Sequence, residues 1–312
     1  MEETDRKSKF GGLWTVEKLD AVQRYLESYT CALRNKFQTI YIDAFAGNGE
    51  CVIGADEYSI EVDGSVKRAL AITHPFNQYV FIEENVEKAR KLEIICKAEY
   101  PLLKTRVVSE DSNQILKALC TSDYMKNRRG VIFLDPFGAS VTWETLQLIA
   151  STKHFDVWYL FPLGAINRFA AKDRKKVLED KLNVVLGTDK WKEWYKENEE
   201  FQLEHPQIKN SYGRILELFH TQLEEIFPLV LPPAILKNTL NNPIFALYFA
   251  CSNTSEKAIT TSKKIAGYIL SMFEKNLLAP KARIDLEELE NKKKIKRKQV
   301  KRKQTGIADL FD

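Results

Sequence analysis

The chain has 312 residues, 44% hydrophobic and 29% charged, with a formal net charge of +4. Thirteen glycines and ten prolines are too few for a collagen-like or low-complexity chain, and no run of 18 uncharged apolar residues offers a membrane span. The five cysteines (Cys31, Cys51, Cys96, Cys120, Cys251) are scattered and form no C-x-x-C pair, which leaves no disulfide framework or structural zinc site and marks them as ordinary core residues.

From the amino terminus, Val16–Asn35 places Leu19, Val22, Leu26, Tyr29 and Leu33 at steps of three or four, predicting a helix. Thr39–Phe45 is β-branched and aromatic, a strand running into a glycine-bearing turn. A helix is expected over Ser65–Ile72, a strand over Tyr79–Ile82 and a helix over Val86–Ala98. A third strand (Thr105–Val108) and a helix (Ser112–Leu119) follow. Val131–Leu134 reads VIFL, an all-apolar strand suited to the middle of a sheet. A helix over Thr142–Ala150 precedes a fifth strand, Phe155–Phe161.

Strands and helices alternating at this spacing predict βαβ units and an α/β fold, a doubly wound, mostly parallel sheet. The second half is less regular. Lys172–Leu182 and Trp191–Phe201 read as charged surface helices, Ser211–Ile226 as a more apolar one, and Pro228–Pro233 as punctuation. Pro243–Cys251 is a late strand and Ala258–Phe273 a late helix. The expected organisation is one domain over residues 1–291, with a helical elaboration over about 167–242, and a tail over 292–312.

Four acid-bearing loops stand out, each expected at the carboxyl end of a strand, where open α/β sheets bind ligands. Asp43 opens the first, with Gly47 and Gly49 following. Glycines there let a backbone approach a ligand closely, or simply permit a tight turn at positive φ. Glu83 directly follows the second strand, where a carboxylate accepts ribose hydroxyls, although an acid at a helix start also suits the dipole. Asp111 follows the third strand, placed to accept from an exocyclic amine or to cap the next helix. Asp135, Pro136 and Phe137 close the VIFL strand; Phe137 offers either a flat face for a planar substrate or an ordinary core ring. The loops lack the G-x-G-x-x-G dinucleotide fingerprint and the phosphate-cradling G-x-x-x-x-G-K-[ST], which argues against a nicotinamide oxidoreductase and a phosphate-centred cofactor.

Taken as an ordered set, Asp43/Gly47/Gly49, Glu83, Asp111 and Asp135-Pro136-Phe137 resemble the ligand loops of class I S-adenosylmethionine-dependent methyltransferases. More narrowly, the chain resembles the three-Cys-motif partner protein family (TcmP) through YIDAFAGNG (41–49), FIEEN (81–85), FLDPFG (133–138), WETL (143–146), FPLG (161–164) and YFACSN (248–253). The resemblance covers roughly residues 10–275. It implies a Rossmann-like methyltransferase sheet in which Asp43, Gly47 and Gly49 surround the methionine part of S-adenosyl-L-methionine, Glu83 holds its ribose and Asp111 its adenine amine. It also implies a radical-SAM-like three-Cys-motif protein as partner. The Asp135-Pro136-Phe137 loop further resembles the [DNS]-P-P-[FYW] loop of enzymes that methylate base amino groups, with one proline where that loop has two. The function so implied is methyl transfer to a nucleic-acid base amine, with Asp135, Pro136 and Phe137 as the catalytic set; the alternative is a non-catalytic accessory protein on the same fold.

Lys292–Lys303 carries nine basic residues and no acid, and without it 38 basic residues face 43 acidic ones. A basic tail on an acidic body suits salt-dependent contact with nucleic-acid phosphates, or serves as a solvated extension. Gln304, Ile307, Leu310 and Phe311 then resemble a sliding-clamp-binding peptide, with Leu310 where an aromatic is usual. A helical turn would gather the three apolar side chains as a plug for a hydrophobic groove. The histidines (His74, His154, His205, His220) lack metal-ligand spacing, so no metal is expected. MEETDRKSKF has no apolar segment of a signal peptide, and a cytoplasmic, nucleic-acid-associated protein is the expectation.

Overall fold

The computed structural model describes residues 12–55, 58–169, 176–192, 211–238, 240–285 and 288. Helix α1 (Leu13–Leu33) leads into β1 (Gln38–Asp43), a hairpin of β2 (Glu50–Ala55) and β3 (Tyr58–Asp63), and α2 (Ser65–Leu70). Next come β4 (Gln78–Ile82), α3 (Val86–Glu99), β5 (Thr105–Val108), α4 (Ser112–Thr121), β6 (Arg128–Leu134), α5 (Trp143–Thr152) and β7 (Phe155–Phe161). The described remainder holds α6 (Leu163–Phe169), α7 (Lys176–Leu186), α8 (Ser211–Ile226), β8 (Leu229–Lys237), β9 (Pro243–Cys251) and α9 (Glu256–Glu274).

Seven strands form one sheet in the order β5-β4-β1-β6-β7-β9-β8. β1 runs parallel to both β4 and β6, β4 to β5, and β6 to β7, while β9 is antiparallel to its neighbours β7 and β8. The expected α/β, doubly wound, mostly parallel Rossmann-like sheet is therefore what the chain forms. The chain moves outward from β1 through β4 to β5, then returns across β1 to β6 and β7. The reversal puts a topological switch point beside β1, and ligands of open α/β sheets bind outside the strand tips there.

The period of two along each strand sorts side chains onto two covered faces. Ile40, Ile42, Val80, Ile132, Leu134 and Tyr159 pack with Leu116 of α4, Ile149 of α5 and Phe219 of α8. Tyr41, Tyr79, Phe81, Val131, Phe133 and Trp158 pack with Val22 and Tyr25 of α1, Leu92 of α3 and Ile269 of α9. One polar knot crosses this second face: buried Asp156 of β7 accepts from Tyr25 Oη at 2.5 Å and Ser262 Oγ at 3.1 Å, tying α1 and α9 to the sheet.

Four expectations need correction. The hairpin β2–β3 has no sequence signal: Glu50, Glu61 and Asp63 interrupt its apolar pattern, and Asp56-Glu57 between the strands lacks the Asn-Gly or Asp-Gly turn signal. Pro228–Pro233 is not mere punctuation, because β8 runs through Pro232 and Pro233. As the last strand of the sheet it has a free edge, and its register shifts between Leu231 and Ala234; an edge strand with a bulge is where proline is tolerated. Cys96 and Cys251 are core residues, but Cys51 and Cys120 are half-buried and Cys31 is exposed. The helix expected over Lys172–Leu182 is seen as Lys176–Leu186. Most of the Trp191–Phe201 helix and the whole of 292–312 lie outside the described residues. No helix among the described residues is long and apolar enough to cross a membrane.

Candidate active site

Strand register brings the four acid-bearing loops to one edge. Asp43, the last residue of β1, pairs laterally with Phe81 of β4 and Phe133 of β6. Glu83 and Asp135 each lie two residues past those partners, so they flank the β1 extension on neighbouring strands about 4.8 Å apart. Phe81 is level with Val107 of β5, which places Asp111 four residues past it. The ladders continue beyond the strands: Ala44 N–H donates to Phe133 O at 3.0 Å, Ala46 N–H to Ile82 O at 2.9 Å, and Glu83 N–H to Val108 O at 3.0 Å. Ser112 Oγ bonds Ala44 O and fastens the start of α4 to the tip of β1.

Asp43 is fully buried. Its Oδ1 accepts from Phe45 N–H at 3.2 Å, whereas Oδ2 is buried without a partner. Burial pushes the carboxyl up from the ordinary 3.8 to about 7; nearby Ser65 and the hydrogen bond from the Phe45 amide oppose that rise, nearby Asp135 adds to it and Lys18 subtracts from it. An unpaired buried carboxylate oxygen is costly, and at this strand tip it is an acceptor with nothing yet to accept.

The two glycines do different work. Both have positive φ, +61° at Gly47 and +82° at Gly49, so both satisfy the turn. A Cβ at Gly47 would meet nothing within 4 Å, while one at Gly49 would press on Leu92 at 3.1 Å. Open space lies over Gly47 alone, and Gly49 packs against α3. Glu83 is buried and accepts Gly47 N–H through Oε2 and Asn85 N–H through Oε1, each at 2.9 Å. One lone pair on each oxygen remains for a pair of hydroxyls. Asp111 caps α4, its Oδ1 accepting Gln114 N–H at 2.9 Å; Oδ2 has no such bond.

At the β6 tip, Asp135 Oδ2 is engaged by Lys18 Nζ, and the lysine side chain is only 6% exposed against 25% for the aspartate. Lys18 lies 5.4 Å from the Trp14 ring centre. Pro136 is buried. Phe137 is 70% exposed, so it is not a core ring; Lys88 of α3 sits over it at 5.0 Å. Gly138 turns the loop at φ +72°. No sequence motif singles out Lys18 or Ser65. Lys18 had a signal, since it falls on the apolar stripe of α1 beside Val22 and Tyr25, where a lysine needs an acid.

The residues fit S-adenosyl-L-methionine at the level of donors and acceptors. Asp43 Oδ2 and the open Gly47 backbone suit an amine-bearing chain, Glu83 keeps lone pairs for hydroxyls, and Asp111 keeps an oxygen for an amine. Gln304, Ile307, Leu310 and Phe311 lie outside the described residues.

No protein-family model matches the chain, and no curated protein does. Among solved structures it is similar to protein LPL1258 from Legionella pneumophila, at 13% identity over 84% of this chain and 93% of that one, with a TM-score of 0.50. It is also similar to Trm1 from Pyrococcus horikoshii in complex with S-adenosyl-L-methionine, at 11% identity, 82% and 60% coverage and a TM-score of 0.41. Spermidine synthase from Thermotoga maritima follows at 9%, 78% and 61%, with a TM-score of 0.39. At such identities the Legionella likeness speaks for the fold alone, and the other two, below 0.5, carry no further argument.

Proposed function

We propose that this chain is an S-adenosyl-L-methionine-dependent methyltransferase acting on nucleic acid, on a base amino group. The observation that carries the reading is the convergence at the switch point: Asp43 with a buried, unpartnered oxygen, Gly47 with open space above it, and Glu83 bonded across to Gly47, all beside the Asp135 loop. When bound, S-adenosyl-L-methionine would supply an electrophilic methyl group in one in-line displacement, its S–CH₃ bond breaking to leave a neutral thioether while the methylated nitrogen sheds its extra proton to water. Asp43, Gly47 and Glu83 hold and orient that group, and Asp111 takes the amine at its far end. Asp135 Oδ2 stays on Lys18, which leaves Oδ1 to accept a hydrogen of the substrate amine as its nitrogen lone pair turns toward the methyl. Exposed Phe137 offers the stacking face for an extruded base. With one acceptor oxygen and one proline, rate comes from positioning rather than from acid–base chemistry.

The resemblance to the three-Cys-motif partner family supports a second reading, an accessory protein of a radical-SAM-like partner or a sliding clamp. The specific observation in its favour is Lys18, which already neutralises the carboxylate that catalysis would use. Isothermal titration with S-adenosyl-L-methionine, followed by transfer of labelled methyl to DNA and RNA, separates the two. Binding with transfer that is lost in Asp135→Asn supports the enzyme; binding without transfer to either polymer supports the accessory protein; no binding rejects both uses of the pocket.

A further inference from the structure

The amino-terminal edge of the sheet, opposite the candidate active site, carries chemistry that the proposed reaction does not use. A cavity of about 510 Å³ opens there, and its lining includes Asn35, Lys36, Phe37, Asn77, Lys126 and Arg129, with no acid among the lining residues. Its polar groups are turned toward donation. Asn77 commits Oδ1 to Thr39, accepting from the backbone N–H at 2.7 Å and from Oγ1 at 3.1 Å, so its amide hydrogens are what remain to offer. Among the described residues, Arg129 is held in place without a carboxylate. Its Nη1 donates to Arg128 O at 2.8 Å and meets His154 Nδ1 at 2.7 Å, and its guanidinium lies 4.9 Å from the ring centre of half-exposed Phe37. Burial and then Arg129 lower the His154 pKa, which keeps the imidazole neutral and accepting. Lys126 has one acidic neighbour, Asp123, at 3.0 Å with both side chains largely exposed, a pairing of small worth.

The cavity is one part of a longer row. In sheet order the segments entering β5, β4, β1, β6 and β7 present exposed Lys104, then Asn77, then Lys36 beside Arg34, then Lys126 with Arg129, then Lys153. Four inter-strand steps of about 4.8 Å make that row roughly 19 Å long. In those entering segments (34–37, 73–77, 101–104, 122–127 and 152–154) the sequence has a single acid, Asp123. A closed pocket would suit a small free anion; an open, linear array of donors and cations suits the spaced phosphates of a polymer backbone.

We propose that this edge is a nucleic-acid backbone-binding site on the globular body, separate from the carboxyl-end cleft and from the basic tail. It does not depend on methyl transfer, so it stands or falls apart from the proposed enzyme activity.

The test uses the full chain and a fluorescein-labelled single-stranded oligonucleotide, with affinity followed by anisotropy from 0.05 to 0.3 M salt. Lys36→Gln/Lys126→Gln removes two exposed charges from the row; Lys263→Gln/Lys264→Gln removes two exposed charges from α9. Circular dichroism checks that both variants fold like the parent. Two lost phosphate contacts should flatten the log–log salt slope by about 1.4, a loss of roughly 25-fold in affinity at 0.1 M salt if the constants meet at 1 M. The α9 pair should stay within about twofold of the parent. Row and α9 variants that weaken binding equally would reduce the effect to net charge and overturn the site, as would a row variant that binds like the parent. Pyrophosphate that binds as tightly as the oligonucleotide, and loses affinity in the row variant, would overturn the polymer assignment in favour of a free anion.

Discussion

Asp43→Asn tests the environment of the candidate site without any ligand. The Asp43 carboxyl is raised from 3.8 to about 7, chiefly because burial penalises its charged form. In the unfolded chain it ionises near the ordinary value, so between the two values the unfolded state binds fewer protons than the folded one. Stability contributed by the protonated group is thus fully present below pH 3.8 and is lost as pH rises toward 7, beyond which the loss stays constant. Three pKa units at about 1.4 kcal/mol each give a loss of about 4 kcal/mol across that window. Asparagine keeps the shape and cannot ionise. Urea denaturation of both chains at half-unit steps from pH 4 to 8.5, with the m-value checked at each step, should show the variant gaining on the parent through that window and levelling off above pH 7. Titrating groups remote from the site are common to both chains and cancel in the difference, leaving Asp43 and its coupling to Asp135 and Lys18. Stability curves that run parallel from pH 4 to 8 would refute the buried, unpaired carboxylate and with it the acceptor assigned to that strand tip.

The Lys18–Asp135 pair predicts an asymmetric double-mutant cycle. Asp135→Asn strands a nearly buried lysine and should cost about 3–5 kcal/mol, whereas Lys18→Met leaves a carboxylate that is 25% exposed and costs less; the double variant should recover part of the loss, and additive denaturation midpoints would show that the two side chains do not interact. Glu83→Gln puts an amide NH₂ against one of two backbone N–H donors, which should cost about 1–3 kcal/mol of stability and weaken S-adenosyl-L-methionine binding by titration calorimetry; unchanged affinity would remove Glu83 from the pocket. Gly130→Ala sets a Cβ 2.7 Å from the Phe155 ring and 2.8 Å from Ile40, so overpacking should cost about 1–3 kcal/mol by denaturant midpoint, and a neutral result would mean that β6 and β7 can separate freely.

Physical reasons divide what the sequence makes legible from what it hides. The parallel strands are readable because burial on both faces demands largely apolar runs such as VIFL and FDVWYLF, and Phe155–Phe161 is buried throughout, its one acid, Asp156, taken up by Tyr25 and Ser262. The acids after those runs are readable because a polar residue at the end of an apolar strand marks the sheet edge. The hairpin is not readable: β2 and β3 are six residues each and mix acids into the pattern. β8 is hidden by its prolines, which forbid a central strand and permit an edge one, a distinction that only sheet order supplies. The split between Gly47 and Gly49 is also tertiary, since both need positive φ and only the position of Leu92 tells them apart.

The same distinction explains why Lys18 matters more than its place in the chain suggests. It lies 117 residues from Asp135, on a helix that precedes the whole sheet, so its place on the apolar stripe of α1 shows that it needs an acid but not which one. Yet two carboxylates, Asp43 and Asp135, stand near enough for each charge to raise the cost of the other, and one of them has its second oxygen unpartnered in the interior. A cation brought in by α1 lowers that cost while leaving Asp135 Oδ1 and Asp43 Oδ2 unoccupied. Had the lysine served only to fill the core, a methionine would do so without the desolvation penalty of an ion pair. What the ion pair adds is a cation fixed against Asp135, beside a carboxyl whose pKa is raised to about 7.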